Sequence, residues 1–136
     1  MRFETRKDLK REEKAIKLFC QKYGCTYRKL GQHDIDYELI RDGKVIASCE
    51  VKGRNKYVKY AYPLPLAVRK MFNLIEKGQK KAVIIWMCKD GLIYADMRKL
   101  HGWMNYNGRK PREGSHNDVE LMAYFLPQDA LQEITF

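Results

Sequence analysis

Asp42-Gly43 is the dipeptide that most narrows what this chain can fold into. Asp followed by Gly favours the positive φ angles of a tight hairpin turn, whose twist matches that of the antiparallel strands it joins. Runs rich in strand-forming residues flank it, 33–40 before and 44–54 after, and together they predict a β-hairpin. The first strand opens with Asp34 and Asp36, and the second closes with Glu50-Val51-Lys52. Pairing across the turn brings acids distant in sequence to one end of the hairpin, with a lysine beside them. That combination suits a metal ion with a cation next to it. Side chains alternate along a strand, so Glu50 and Lys52 project to one face while Val51 projects to the other, toward a core.

Composition narrows the partners. The 136 residues suit one domain with its own core, spanning 1–136, and 45% hydrophobic with 32% charged residues predicts a globular chain. Lys and Arg number 27 against 17 Asp and Glu, a net charge of +10. Such an excess favours polyanions, because each phosphate neutralised releases condensed counterions. Nucleic acid is the expected partner. A membrane is not, since no long uncharged apolar run or lipidation motif is present. The charged first residues lack the apolar core of a secretory signal, so a cytoplasmic protein is expected. Cys20, Cys25, Cys49 and Cys88 are scattered without CxxC-type pairs, and read as reduced, mostly buried apolar residues.

Helical spacing over residues 5–23 puts Leu9, Ile16, Phe19, Cys20 and Tyr23 on one face, with Gly24 as the stop. On that wheel Glu12 lies nearer the apolar stripe than Glu13, which is spaced to pair with Lys17. A short strand is expected from Cys25 onward, with Tyr27, Arg28 and Lys29 able to touch nucleic acid or simply solubilise an edge. After Lys52 come Arg54, Lys56 and Lys59, interleaved with Tyr57, Tyr60 and Tyr62. Cations among aromatics suit a surface that follows phosphates and stacks on bases, although tyrosines also cover a core beneath a loop. Pro63 and Pro65 introduce a second amphipathic helix, with Leu64, Val68, Met71 or Phe72, and Ile75 on its buried side and Gly78 at its end. Two strands then flank Lys89-Asp90-Gly91, the first apolar enough to be central. In the tail, 107–116 reads as a polar loop carrying Arg109, Lys110 and Arg112, 119–127 as a strand and 128–134 as a short helix. The order is helix, three strands, helix, two strands and a mixed tail.

Asp, a hairpin, then Glu-Val-Lys resembles the catalytic signature of the PD-(D/E)XK nuclease superfamily, and the acidic first helix around Glu12 is similar to that of the small archaeal Holliday-junction resolvases. The resemblance implies an α/β restriction-endonuclease-like fold, a central mixed β-sheet flanked by helices with an αβββαβ core. It also implies a nuclease dependent on Mg²⁺, with Mn²⁺ as substitute, that hydrolyses phosphodiester bonds in DNA. Asp36, Glu50 and the backbone carbonyl of Val51 would bind the metal, with Glu12 as the helix acid, Asp34 as the alternative ligand and Lys52 acting on the attacking water. His33, in the loop entering the Asp strand, would contact phosphate unless it is merely a surface residue. Arg54, Lys56, Lys59, Tyr60, Arg69, Lys70 and the three cations of the tail would line the nucleic acid. An endonuclease selective for branched DNA, working as a homodimer, is the nearest analogue. A restriction, repair or DNA-degrading role, or a non-catalytic member that binds nucleic acid or protein, is the alternative. The bland reading of the same residues is that Asp34 and Asp36 cap a strand and Glu50 and Lys52 form an exposed pair. If phosphates drive binding, affinity for DNA falls steeply and linearly on a log–log plot as salt rises from 50 to 200 mM, measured by fluorescence anisotropy; an apolar partner surface would leave it nearly flat.

Overall fold

The computed structural model describes residues 6–31, 35–77, 81–108, 119–127 and 131–136. Helix α1 (Arg6–Tyr23) leads into strands β1 (Thr26–Lys29), β2 (Tyr37–Arg41) and β3 (Lys44–Gly53). A 3₁₀ turn (Val58–Tyr60) and β4 (Leu64–Ala67) come before helix α2 (Val68–Lys77). Then follow β5 (Ala82–Met87), β6 (Gly91–Asp96), a second 3₁₀ turn (Met97–Lys99), β7 (Trp103–Gly108), β8 (Val119–Phe125) and β9 (Gln132–Thr135).

The predicted hairpin is β2–β3, and its turn takes positive φ at both residues, 52° at Asp42 and 74° at Gly43. It lies in a six-stranded sheet ordered β1-β2-β3-β5-β6-β9. Strands β3 and β5 pair in parallel and the other neighbours pair antiparallel, so the sheet is mixed. Strand β5 is buried at every position, as its unbroken apolar run predicts for a strand covered on both faces.

Each face carries its own core. Helix α1 lays Ala15, Ile16, Phe19 and Cys20 against Cys49, Val51 and Ile85. Gly24 closes α1 at φ 64°, where the Cys25 N–H reaches the Cys20 carbonyl at 3.1 Å, the bond of a left-handed helix cap. On the opposite face Ile84 and Trp86 meet Val68 and Leu74 of α2, and Leu66, Ala123 and Phe125 of a second sheet ordered β4-β8-β7. Burial of a side chain such as Leu74 or Phe125 contributes about 1.5–3 kcal/mol, so the core on the α2 side is no minor annex. All four cysteines are free thiols, three of them buried.

Three parts of the chain depart from expectation. Residues 64–67, predicted as the start of a helix, form β4, which pairs antiparallel with β8. Leu64 precedes Pro65, which disfavours helical backbone there, so the helix starts only at Val68. Within α2 it is Met71 that packs inward, while Phe72 is exposed. Of the predicted terminal helix, residues 128–130 lie outside the described residues, and 132–134 belong instead to β9, which pairs with the edge of β6, Ile134 opposite Leu92. Strand β7 was not anticipated at all. His33, Asp34, Gly78, Arg109, Lys110 and Arg112 lie outside the described residues.

Glycine at position 91 permits the β6–β9 contact. A Cβ there would sit 2.3 Å from the Ile134 carbonyl oxygen, whereas one at Gly53 would meet nothing within 4 Å. Gly91→Ala is expected to lower unfolding free energy by about 2 kcal/mol through overpacking, with Gly53→Ala within about 0.5 kcal/mol of wild type, both measured by urea denaturation.

Candidate active site

Register brings the hairpin's acids together. Tyr37 pairs with Cys49, so β2 ends where β3 still has Glu50, Val51 and Lys52 to run. Asp36, in the bend just before β2, takes over there. Its Oδ2 accepts the Val51 N–H at 2.9 Å, and its own N–H donates to Glu50 Oε2 at 3.2 Å. A side chain thus continues the ladder that the backbone has left.

Glu50 is buried on the central strand, a costly place for a carboxylate without partners. Besides the Asp36 N–H it has Lys70, the third residue of α2, whose Nζ lies 3.2 Å from Oε1. Burial, and then the charge of Glu50, push the Asp36 carboxyl up to about 6; the Val51 N–H, Lys29 and Lys70 act the other way without cancelling the rise. Two acids held side by side, one resisting ionisation, are an arrangement that a cation would relieve.

Lys52 shares the Glu50 side of the strand, since their partners Ile84 and Trp86 both belong to the core under α2. Glu12 faces inward with its side chain 12% exposed, and its Oε2 accepts from Lys29 Nζ at 3.2 Å and from the Tyr37 hydroxyl at 3.4 Å. Glu13 points outward at 53% exposure and pairs with Lys17 at 3.1 Å. Burial, then Glu12, then Asp36 raise the Tyr37 hydroxyl, which places that ring between the two acids electrostatically. Among the described residues no three His, Cys, Asp or Glu side chains converge tightly enough to share one ion, so Glu12 stands beside the Asp36–Glu50 pair, linked to it by Lys29 and Tyr37. The sequence reading missed Tyr37 as a part of this cluster; its place at the mouth of the first strand was the available signal.

The family model described as "Phage putative PDDEXK endonuclease" matches residues 1–132. The chain belongs to that family. No curated protein and no solved structure matches it. Membership in a PD-(D/E)XK family makes the hairpin's signature the expected catalytic element of a nuclease, without singling out the resolvases. Divalent metal ions are general to PD-(D/E)XK nucleases, and the chemistry of the donors here fits one: two hard carboxylates that repel each other. No helix among the described residues is long and apolar enough to cross a membrane.

The residues expected to touch nucleic acid divide by environment. Arg54 is turned inward, donating to the carbonyls of Ala61 at 3.0 Å and Pro63 at 3.4 Å. Lys56 is exposed, and Lys59 sits over the exposed ring of Tyr60 at 4.9 Å. Arg69 pairs with Glu120 at 3.1 Å on the surface, while Lys70 is committed to Glu50.

The Asp36 shift has a direct consequence for stability. A folded-state value raised from 3.8 to about 6 means that the metal-free fold binds its proton more tightly than the unfolded chain does, so stability is lost as pH rises through that window. Asp36→Asn keeps the acceptor for Val51 and removes the charge. At pH 8 it is expected to stabilise the metal-free protein by on the order of 2 kcal/mol, with no difference below about pH 4, as measured by chemical denaturation in EDTA.

Proposed function

We propose that the chain is a metal-dependent DNA endonuclease whose catalytic residues are Asp36, Glu50 and Lys52, with Glu12 in support. The observation that carries this is the Asp36–Glu50 pair, in which the Asp36 N–H reaches Glu50 and burial together with the Glu50 charge raises the Asp36 carboxyl to about 6. Asp36, Glu50 and the Val51 carbonyl would hold Mg²⁺ or Mn²⁺, with Asp34 as the alternative ligand. Such an ion offsets charge developing on phosphate oxygens and makes a water acidic enough to attack. Lys52, on the same face as Glu50, would orient that water and hold or relay its proton. Lys70 would turn from Glu50 to the phosphate once the cation satisfies the carboxylate. Water adds to phosphorus, the bridging P–O bond breaks, and the departing alkoxide takes up a proton.

Glu12 would fix water at the flank of the site through its position beside Lys29 and Tyr37. The resemblance of α1 to the resolvase helix supports branched DNA as substrate and a homodimer that cuts two strands symmetrically. The basic balance of the chain supports DNA as the partner, and its composition a cytoplasmic setting.

Incubating four-way-junction, linear duplex and single-stranded DNA with Mg²⁺, Mn²⁺ or EDTA tests this directly. Cleavage is expected with either metal and none with EDTA, and Glu50→Gln or Lys52→Ala should slow it by at least about 100-fold while DNA binding persists. Binding without cleavage under every metal condition would sink the enzyme reading; equal cleavage of junction and duplex would remove the branched preference alone.

A further inference from the structure

The chain leaves the active site at Lys52 and returns to it at Lys70, and the loop between them is both rigid and unusually dressed. Between Glu50 and Glu76 it carries six cations, Lys52, Arg54, Lys56, Lys59, Arg69 and Lys70, and no acid. Its backbone is pinned. Arg54 holds the carbonyls of Ala61 and Pro63, the Val58 N–H donates to Asp90 Oδ1 at 2.8 Å, and the Lys89 N–H donates to the Lys56 carbonyl at 2.9 Å.

The loop's three tyrosines have different fates. Tyr62 turns inward, its hydroxyl 2.6 Å from Glu133, and the core beneath is covered by Val58, Ala61 and Leu64. Tyr57 and Tyr60 are therefore not needed as a lid, and they stand 50% and 62% exposed. They bracket the 3₁₀ turn, with the Tyr60 N–H bonded to the Tyr57 carbonyl at 2.9 Å. Tyr57 caps the turn in extended backbone (φ −70°, ψ 151°) and Tyr60 is its last residue, so the two exposed rings flank one short turn. Each has a lysine over its face, Lys89 at 5.3 Å from the Tyr57 centroid and Lys59 at 4.9 Å from that of Tyr60.

We infer that Tyr57 and Tyr60 form a stacking platform for unpaired bases of single-stranded nucleic acid, which Lys59 and Lys89 anchor by its phosphates. The inference rests on the nuclease reading for its purpose, which is to present a strand with unpaired bases to the Asp36–Glu50 site from the segment that follows Lys52 in the chain. Bases within a duplex already have both faces covered by their neighbours, so two open rings select bases that are not paired. The lysines over the ring faces carry their charge at the end of long, rotatable stems. A base that displaces them leaves each lysine beside the phosphate attached to that base. The rings are held in advance by the pinned backbone, so ordering them costs the complex little.

Anisotropy with labelled oligo-dT and with an abasic strand of equal length, in EDTA so that nothing is cut, separates stacking from phosphate contact. Tyr57→Ala and Tyr60→Ala are each expected to weaken oligo-dT binding about ten-fold. Tyr57→Phe and Tyr60→Phe, which keep the ring, should bind oligo-dT as wild type does, and the abasic strand should bind all five proteins equally. An unchanged affinity of the alanine variants for oligo-dT, or an equal loss on the abasic strand, overturns the platform. DNA cleavage by the wild type alongside either of those results leaves the nuclease standing without it. Base-dependent binding with no cleavage in any metal leaves the platform standing and the nuclease refuted.

Discussion

A carboxylate buried on an inner strand of the sheet is the constraint around which this fold is arranged. Strand β3 runs antiparallel to β2 as far as Cys49 and parallel to β5 through Gly53, with the Asp36 side chain taking the Val51 N–H where β2 has ended, and its side chains must choose between two covered faces. Cys49 and Val51 meet α1, which is an ordinary apolar solution. Glu50 faces the α2 side and is buried there, where an ionised group is unfavourable unless something compensates. The chain compensates twice, with the Asp36 N–H and with Lys70. Lys70 can serve only because β4 delivers α2 to that face of the sheet.

The compensation is deliberately incomplete in its effect on Asp36. Its carboxylate gains the Val51 N–H, yet burial and the neighbouring Glu50 outweigh that gain and hold the group toward its neutral form. Packing and hydrogen bonding thus hold two acids closer than their charges favour. That tension, which a cation between the two carboxyls would relieve, is what the proposed metal site draws on; in a structural ion pair each partner is relaxed by the other. Glu12, Lys29 and Tyr37 extend the polar cluster onto the α1 side, where the ring of Tyr37 carries both a hydrogen bond to Glu12 and the cation of Lys29 at 4.8 Å. The site therefore draws on both helices and both of its strands, so the whole sheet acts as its scaffold.

Much of this was legible in the chain because local chemistry decided it. Asp-Gly at 42–43 admits few backbones other than the hairpin it makes, and the phase of α1 separates Glu12 from Glu13 by their place on one turn of helix. The apolar run of β5 could hardly be anything but a covered strand. The misreadings fall where short segments were settled by what lay across from them. Residues 64–67 carry leucines spaced as well for a helix as for a strand, and the pairing with β8, more than fifty residues later, chose the strand. Residues 132–135 carry no strong preference, and the unpaired edge of β6 claimed them. Strand β7, with two asparagines and a glycine among its six residues, has little strand propensity of its own and exists by pairing with β8.

Sequence alone determined the hairpin, the acids and lysine at its end and the acidic helix before it, because a local turn and helix phase set them, and it determined the charge that points to nucleic acid, because that is a sum independent of the fold. Only the tertiary structure decided that Asp36 and Glu50 share a site with Lys70, that Arg54 is spent on its own loop, and that Tyr57 and Tyr60 stand open while Tyr62 does not. Those outcomes depend on which distant surfaces meet, and that is set by how two faces of one sheet are covered.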